Sequence, residues 1–140
     1  QNKIPYEEVT VTNSSEVKQA AETLAGKVDG IFIPNDSVIQ SAMTTVTEVA
    51  RDKKIPVYGS SKAMVLSGAF ATVAISDTKI GKLTAQMGLK YLKDGTAVKD
   101  IPSVVVPAEE TVINQNTLDA LGVTVPDDIK NSAIIVNDAE

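Results

Sequence analysis

The sequence has no cysteine, no histidine and no tryptophan among its 140 residues, and aromatic residues make up only 4% of it. Without cysteine there is no disulfide framework and no thiol chemistry. Without histidine the commonest general base and metal ligand is missing, and a Ser-His-Asp arrangement cannot be built within the chain. A metal site would have to consist of oxygen ligands alone. Adjacent acids occur at Glu7-Glu8, Glu109-Glu110 and Asp127-Asp128. Neighbours on a strand point to opposite faces, so these pairs read as solvated turns and faces, and no metal site is expected. The chain carries no phosphate-binding loop, no Gly-x-Gly-x-x-Gly and no nucleophile elbow. Nothing in it calls for a cofactor, and an enzyme is not expected. No apolar run approaches the ~20 residues that a membrane helix needs. No basic segment followed by an apolar stretch opens the chain, so a signal segment is not legible in it.

What is present is an ordinary globular composition, 43% hydrophobic, in which Val, Ile, Leu and Ala must fill the core. Thirteen basic against 18 acidic residues give a net charge of -5. The basic residues are scattered and only Lys53-Lys54 are adjacent, unlike the stripe that marks a nucleic-acid footprint. Strand and helix patterns alternate. Strands are predicted over 7–11, 28–34, 55–58 and 69–75, and helices over 14–26, 38–53 and 79–93. A short helix over 114–121, a turn from Pro126 and a final strand over 133–136 complete the pattern, with 101–107 extended. This alternation implies an α/β domain, a three-layer open parallel sheet with helices on both faces. Capping signals support the helix starts. Asn13 with Glu16 and Ser37 with Gln40 have capping-box spacing, and Asp77 or Thr78 is expected to cap the third long helix. On that helix Ile80, Leu83, Met87 and Tyr91 form an apolar stripe, which Gly81 and Gly88 make smooth.

Three polar clusters follow three buried strands. Asn35, Asp36 and Ser37 come after the first, Ser60 and Ser61 after the second, and Ser76 and Asp77 after the third. In open parallel sheets, ligands bind outside the carboxyl ends of the strands. Free N–H groups at helix starts there favour an anion such as a carboxylate. These seven residues are the candidate ligand-binding set. Each cluster is also accounted for by capping or turn chemistry alone, and capping by one residue leaves its neighbour free to touch ligand.

The segments VDGIFIPNDSVIQSA, KIPVYGSS, VLSGAFATVAISDTKIGKLTAQMGLKYLKDG and INQNTLDALGVTVPDDI, in that order, resemble the type I periplasmic-binding-protein fold. More narrowly they resemble ABC-transporter substrate-binding proteins of the tryptophan and tyrosine type. The Leu-Gly-Val-Thr-Val-Pro tail carries the most specific part. The resemblance implies two lobes closing on a ligand, of which this chain corresponds to the second half. Residues 1–76 would be the core of the C-terminal lobe, without that lobe's first strand and helix. Residues 77–100 would cross to an N-terminal lobe, and 101–140 would return. By position, Asn35 and Asp36 match a ligand-facing turn, Ser60 and Ser61 the next ligand loop, and Ser76 and Asp77 the crossover hinge. Sugar binders often carry an acid where Ser61 stands here, which weakens a sugar reading. For an amino-acid ligand, Asp36 or Asp77 would hold the ammonium, and Ser37, Ser60 and backbone N–H groups the carboxylate.

The function implied is the solute-binding component of an ABC importer. It would be extracytoplasmic, periplasmic or a cell-surface lipoprotein, and would deliver a small polar solute, an amino acid among the candidates, to a membrane permease. The alternative from a regulatory class is the ligand-sensing domain of a membrane kinase or a transcriptional repressor. A receiver-type enzyme would need an acidic cluster that Asp36 alone does not supply. The stripe Ile80, Leu83, Met87 and Tyr91 is expected to meet the N-terminal lobe or, in the chain alone, a second copy or the chain's own sheet.

Overall fold

The computed structural model describes residues 3–139, so residues 1–2 and 140 at the outer ends of the first and last expected segments lie outside it. The elements in order are α1 (Val17–Ala25), β1 (Ile31–Ile33), α2 (Ser37–Ser41), α3 (Met43–Asp52), β2 (Val57–Gly59), α4 (Lys62–Leu66), β3 (Ala71–Ala74), α5 (Asp77–Leu92), β4 (Glu110–Asn114), α6 (Gln115–Leu121), α7 (Asp127–Ser132) and β5 (Ile134–Val136). The five strands form one sheet in the order β1-β2-β3-β4-β5. β1, β2 and β3 run parallel, with Ile31 opposite Val57 and Tyr58 opposite Ala71. β4 is antiparallel to β3, with Ala74 opposite Glu110, and β5 is parallel to β4.

Alternation along the strands divides the sheet into two faces. Ile31, Ile33, Val57 and Val112 point to one side, where they pack with Val17 and Ala21 of α1, Met43, Val46 and Ala50 of α3, and Met64 and Val65 of α4. The β1–β2 and β2–β3 connections run the same way along the sheet. Right-handed crossovers therefore put their helices on the same side. The second face is covered at its β4 end only, where Ile113 packs with Leu118 and Leu121 of α6 and with Phe70. Over β1 to β3 that face is open.

Several local expectations are corrected. The predicted strand over 7–11 does not form: residues 7–10 run exposed and Val11 packs half-buried against the core, ahead of a 3-10 turn at Ser14–Glu16. Its apolar alternation has no partner strand, and a strand without a ladder is not stable. The predicted helix over 38–53 is two helices, broken at Ala42 with φ −111° and ψ 19°. The cap of α2 is Asp36, not Ser37: its carboxylate accepts from the N–H groups of Val38 at 2.8 Å and Ile39 at 3.0 Å. The cap of α5 is Ser76, which accepts from Lys79 N, rather than Asp77 or Thr78. At the first helix Asn13 caps Ser15 N, while the Glu16 carboxylate reaches back to Thr12 N at 2.8 Å, one residue further than a capping box would place it. That bond, first, and the Thr12 hydroxyl lower the Glu16 pKa. β4 was not anticipated.

The C-terminal half is fastened by a polar knot. Asn114 is fully buried at the end of β4. Its Nδ2 donates to Val65 O at 2.7 Å and to Asp138 Oδ1 at 2.8 Å, and its Oδ1 accepts from Thr117 N at 3.0 Å. Arg51 of α3 grips Asp138 with both Nη atoms, at 2.9 and 2.8 Å, and its Nε donates to Thr117 Oγ1 at 3.0 Å. Thr117 Oγ1 donates onward to Gly68 O at 2.8 Å. Gly68 itself sits at φ +99°, in the left-handed region that favours glycine. Ala139 N donates to Leu66 O at 2.8 Å, closing the tail on α4.

The bonds to Arg51, first, and to Asn114 hold the Asp138 carboxyl below the usual carboxylate range against the opposing effect of burial. A group whose folded pKa is depressed contributes stability above its unfolded pKa and loses it as pH falls through the folded value. The expected outcome is therefore a stability advantage of the native chain over Asp138→Asn at neutral pH. It should shrink as pH drops below about 4, where unfolded aspartate begins to protonate, until the two urea midpoints converge in acid. A constant difference down to pH 2 would show that the ion pair is not the source.

Candidate functional site

Because β1, β2 and β3 are parallel, their carboxyl ends leave the sheet along one edge. All three polar clusters follow those ends: Asn35, Asp36 and Ser37 after β1, Ser60 and Ser61 after β2, and Ser76 and Asp77 after β3. Ile33 pairs with Gly59, so the first two clusters leave from adjacent, level strand ends. The structure thus brings all seven to one edge of the sheet.

Their side chains divide by occupation. Asp36, Ser61 and Ser76 are N-caps of α2, α4 and α5 and are committed to backbone N–H groups. Ser61 accepts from Met64 N at 3.4 Å, and Ser76 from Lys79 N at 3.4 Å. Asn35, Ser37 and Asp77 are exposed, and among the described residues their side chains make no hydrogen bond within the chain. Ser60 is half-buried and its hydroxyl lies 3.7 Å from Met64 Sδ, a weak acceptor. The caps therefore hold the loops while Asn35, Ser37, Ser60 and Asp77 keep free polar groups at the edge. Together they offer two hydroxyls, one amide and one carboxylate, plus the second oxygen of Asp36. This equipment suits reversible capture of a small zwitterion.

The backbone approach at β2 is tight. A Cβ on Gly59 would lie 2.7 Å from Met64 Cβ, so glycine lets α4 start directly beneath the Ser60–Ser61 loop.

The edge has one further component that sequence reasoning set aside. Glu109, placed with the solvated acids, enters the sheet beside the exit of β3. Its N–H donates to Ala74 O at 3.1 Å, and its carboxylate pairs with Lys79 Nζ at 2.5 Å. The hydrogen bond to Glu109, first, and its charge raise the Lys79 pKa. The outgoing and incoming chains are thus tied side by side where they leave the sheet. α5 beyond them has no buried residue. Leu83 and Met87 are half-buried, and with Ile80 they border a groove of about 390 Å³ shared with Ser103 to Val106. Ile80 and Tyr91 remain exposed, and the stripe does not fold back onto the sheet.

The chain is thus an α/β sheet with its polar loops on one edge and an outlying helix reached through a paired neck. The sequence model of the family described as ABC transporter substrate binding protein matches residues 1–137. The chain belongs to that family, which is a class of binding proteins rather than enzymes. It is 39% identical over 111 residues to a tyrosine-binding protein of Clostridioides difficile (strain R20291), an alignment covering 79% of this chain and 32% of the relative. A structure from Streptococcus pneumoniae, an ABC domain in complex with L-Trp, superposes with a TM-score of 0.82 at 30% identity, over 93% of this chain and 44% of that one. A ligand-free, open substrate-binding protein with adhesive properties from Clostridium difficile superposes with a TM-score of 0.75 at 32% identity, over 92% of this chain and 43% of that one. The chain spans about a third of the length of the curated relative it matches and under half of the matched structures.

Replacing Gly59 by alanine forces Met64 or the β2 end to shift. The expected cost is about 1–3 kcal/mol, in the range of overpacking a dense core, read as a lowered urea midpoint. An unchanged midpoint would show that α4 can move freely under the loop.

Proposed function

We propose that residues 1–140 form one ligand-binding lobe of the solute-binding protein of an ABC importer, and that its ligand is an aromatic amino acid of the tyrosine and tryptophan type. The observation that carries this is the row of uncommitted polar groups, Asn35, Ser37, Ser60 and Asp77, along the carboxyl edge of three parallel strands. Asp77 holds the ligand ammonium. Ser37, Ser60 and nearby backbone N–H groups receive the carboxylate. The 4% aromatic content of this chain leaves the ring of the ligand to be packed mainly by a second lobe. The likeness to proteins named for tyrosine binding and solved with L-Trp supports the ligand class.

In this reading residues 1–76 are the core of the lobe, 77–100 cross to the second lobe through Ile80, Leu83, Met87 and Tyr91, and 101–140 return. Capture is hinge closure between lobes, and the closed form presents the solute to a membrane permease. The site of action is extracytoplasmic. Among the described residues no helix is long and apolar enough to cross a membrane.

Calorimetric titration of the natural gene product with L-tyrosine and L-tryptophan tests this. Binding of at least one is expected. Asp77→Asn should weaken it by about 10- to 100-fold, the value of one charge-assisted hydrogen bond of roughly 1.5–3 kcal/mol, while circular dichroism stays unchanged. Absence of binding by either amino acid would remove the ligand class, and full affinity in Asp77→Asn would remove the assigned ammonium contact.

A further inference from the structure

α4 is five residues long, too short to hold its own geometry in water. The last carbonyls of a helix have no partner within it, and at the close of α4 four successive ones are each taken by a different element. Val65 O accepts from Asn114 Nδ2 of β4 at 2.7 Å, and Leu66 O from the N–H of Ala139 in the C-terminal tail at 2.8 Å. Ser67 O accepts from Thr47 Oγ1 of α3 at 3.2 Å. Gly68 O accepts from Thr117 Oγ1 of α6 at 2.8 Å and from Arg51 Nη2 at 3.3 Å. Asn114, Thr47 and Thr117 are buried, so solvent does not compete for these donors. The seat has no slack: a Cβ on Gly68 would lie 2.8 Å from Thr47 Oγ1 and 3.0 Å from Arg51 Nη2.

The other end of α4 is the polar edge. Only Ser60 and Ser61 stand between Gly59 of β2 and Lys62, the first residue of α4. Ser61 caps the helix through Met64 N. Met64, with no exposed surface, lies under Gly59 and against the Ser60 hydroxyl at 3.7 Å. Five helical residues rise about 7.5 Å, so one short rod joins the clamped carbonyls to the Ser60–Ser61 loop. Met64 and Val65 on that rod are fully buried. A close-packed interior has little free volume to absorb a shift, so displacement at one end of α4 reaches the other.

We propose that Thr117 and Thr47 are positioning residues for ligand capture, an assignment that rests on the reading of this edge as the ligand site. With Asn114 they fix the last carbonyls of α4 and so hold the Ser60 hydroxyl in place beside Asn35, Ser37 and Asp77. Neither threonine touches the ligand. Thr47 belongs to the helix layer on one face of the sheet and Thr117 to α6 on the other, so the clamp ties both layers to one ligand loop. A residue with a core role alone lowers stability when it is changed. A positioning residue also changes affinity while the lobe stays folded.

The test separates position from stability. Thr117→Val removes the hydroxyl at nearly constant volume, Thr117→Ser keeps it, and Val17→Ala thins the core at α1 without touching the clamp. All are made in the natural gene product and titrated with L-tyrosine and L-tryptophan. Thr117→Val is expected to bind about 3- to 30-fold more weakly, the range for residues that act on a site from outside it. Thr117→Ser and Val17→Ala are expected to bind as the native protein does. Amide hydrogen exchange without ligand gives the second reading. The Met64 N–H should exchange about tenfold faster in Thr117→Val than in Val17→Ala, the scale of one net hydrogen bond. If Thr117→Val does not fold, Thr47→Val, which frees Ser67 O, carries the same expectations, with Thr47→Ser as its rescue. Native affinity in the valine variant, equal weakening in Val17→Ala, or unchanged exchange at Met64 would overturn the proposal and leave the binding reading intact. No binding by the native protein would overturn the binding reading, and exchange at Met64 would still decide whether the clamp governs the loop.

Discussion

A fully buried amide must find partners for every one of its polar atoms, and at Asn114 that requirement organises half the molecule. Its donor group draws in the end of α4 and the tail beyond β5, and its carbonyl starts α6. Asp138, once captured, recruits Arg51 from α3, and Arg51 in turn fixes Thr117. Elements from the middle and the end of the chain meet on one side chain. Replacing a single member would leave several desolvated groups unpaired, which costs more than the net value of any one bond. The apolar core holds the helices to the sheet. The knot decides where β4 and β5 sit relative to β1–β3.

That division explains what could be read from the sequence. β1, β2 and β3 were legible because each is a short apolar run followed by Gly, Ser or Asn, and the polar residues after them fell on one edge once the runs were taken as parallel. α1 was legible from its apolar spacing, and α5 from its stripe and the Asp94-Gly95 stop. β4 was not. Glu110 and Thr111 look like loop residues, and its pairing with β3 spans a long excursion that no local pattern announces. The contact between Arg51 and Asp138 joins residues 87 apart in the chain and has no local signature either. The break at Ala42 carries no Gly or Pro, so the chain offers no punctuation for it. Residues 7–11 failed in the opposite sense, with the right alternation for a strand but no neighbour to pair with.

The candidate site shows how one loop chemistry serves two ends. At each of the three strand ends one side chain is spent on the helix that follows, and an adjacent one is left over. Asp36 caps while Asn35 and Ser37 are free, Ser61 caps while Ser60 is nearly free, and Ser76 caps while Asp77 is free. Rigidity and availability are thereby assigned to different residues. A ligand then meets groups whose backbone is already held, which lowers the ordering cost of binding.

The antiparallel pairing of β3 with β4 has a consequence for the architecture as a whole. Ala74 and Glu110 lie opposite each other, although 35 residues separate them in the sequence. Topologically, residues 75–109 are a guest inserted between neighbouring points of a host sheet. A tight two-residue turn could join Ala74 to Glu110 as an ordinary hairpin, leaving the strand order, the polar knot and two of the three edge loops intact. The fold is thus modular at this one seam: the sheet is a self-contained platform, and everything that reaches away from it enters and leaves by the same door.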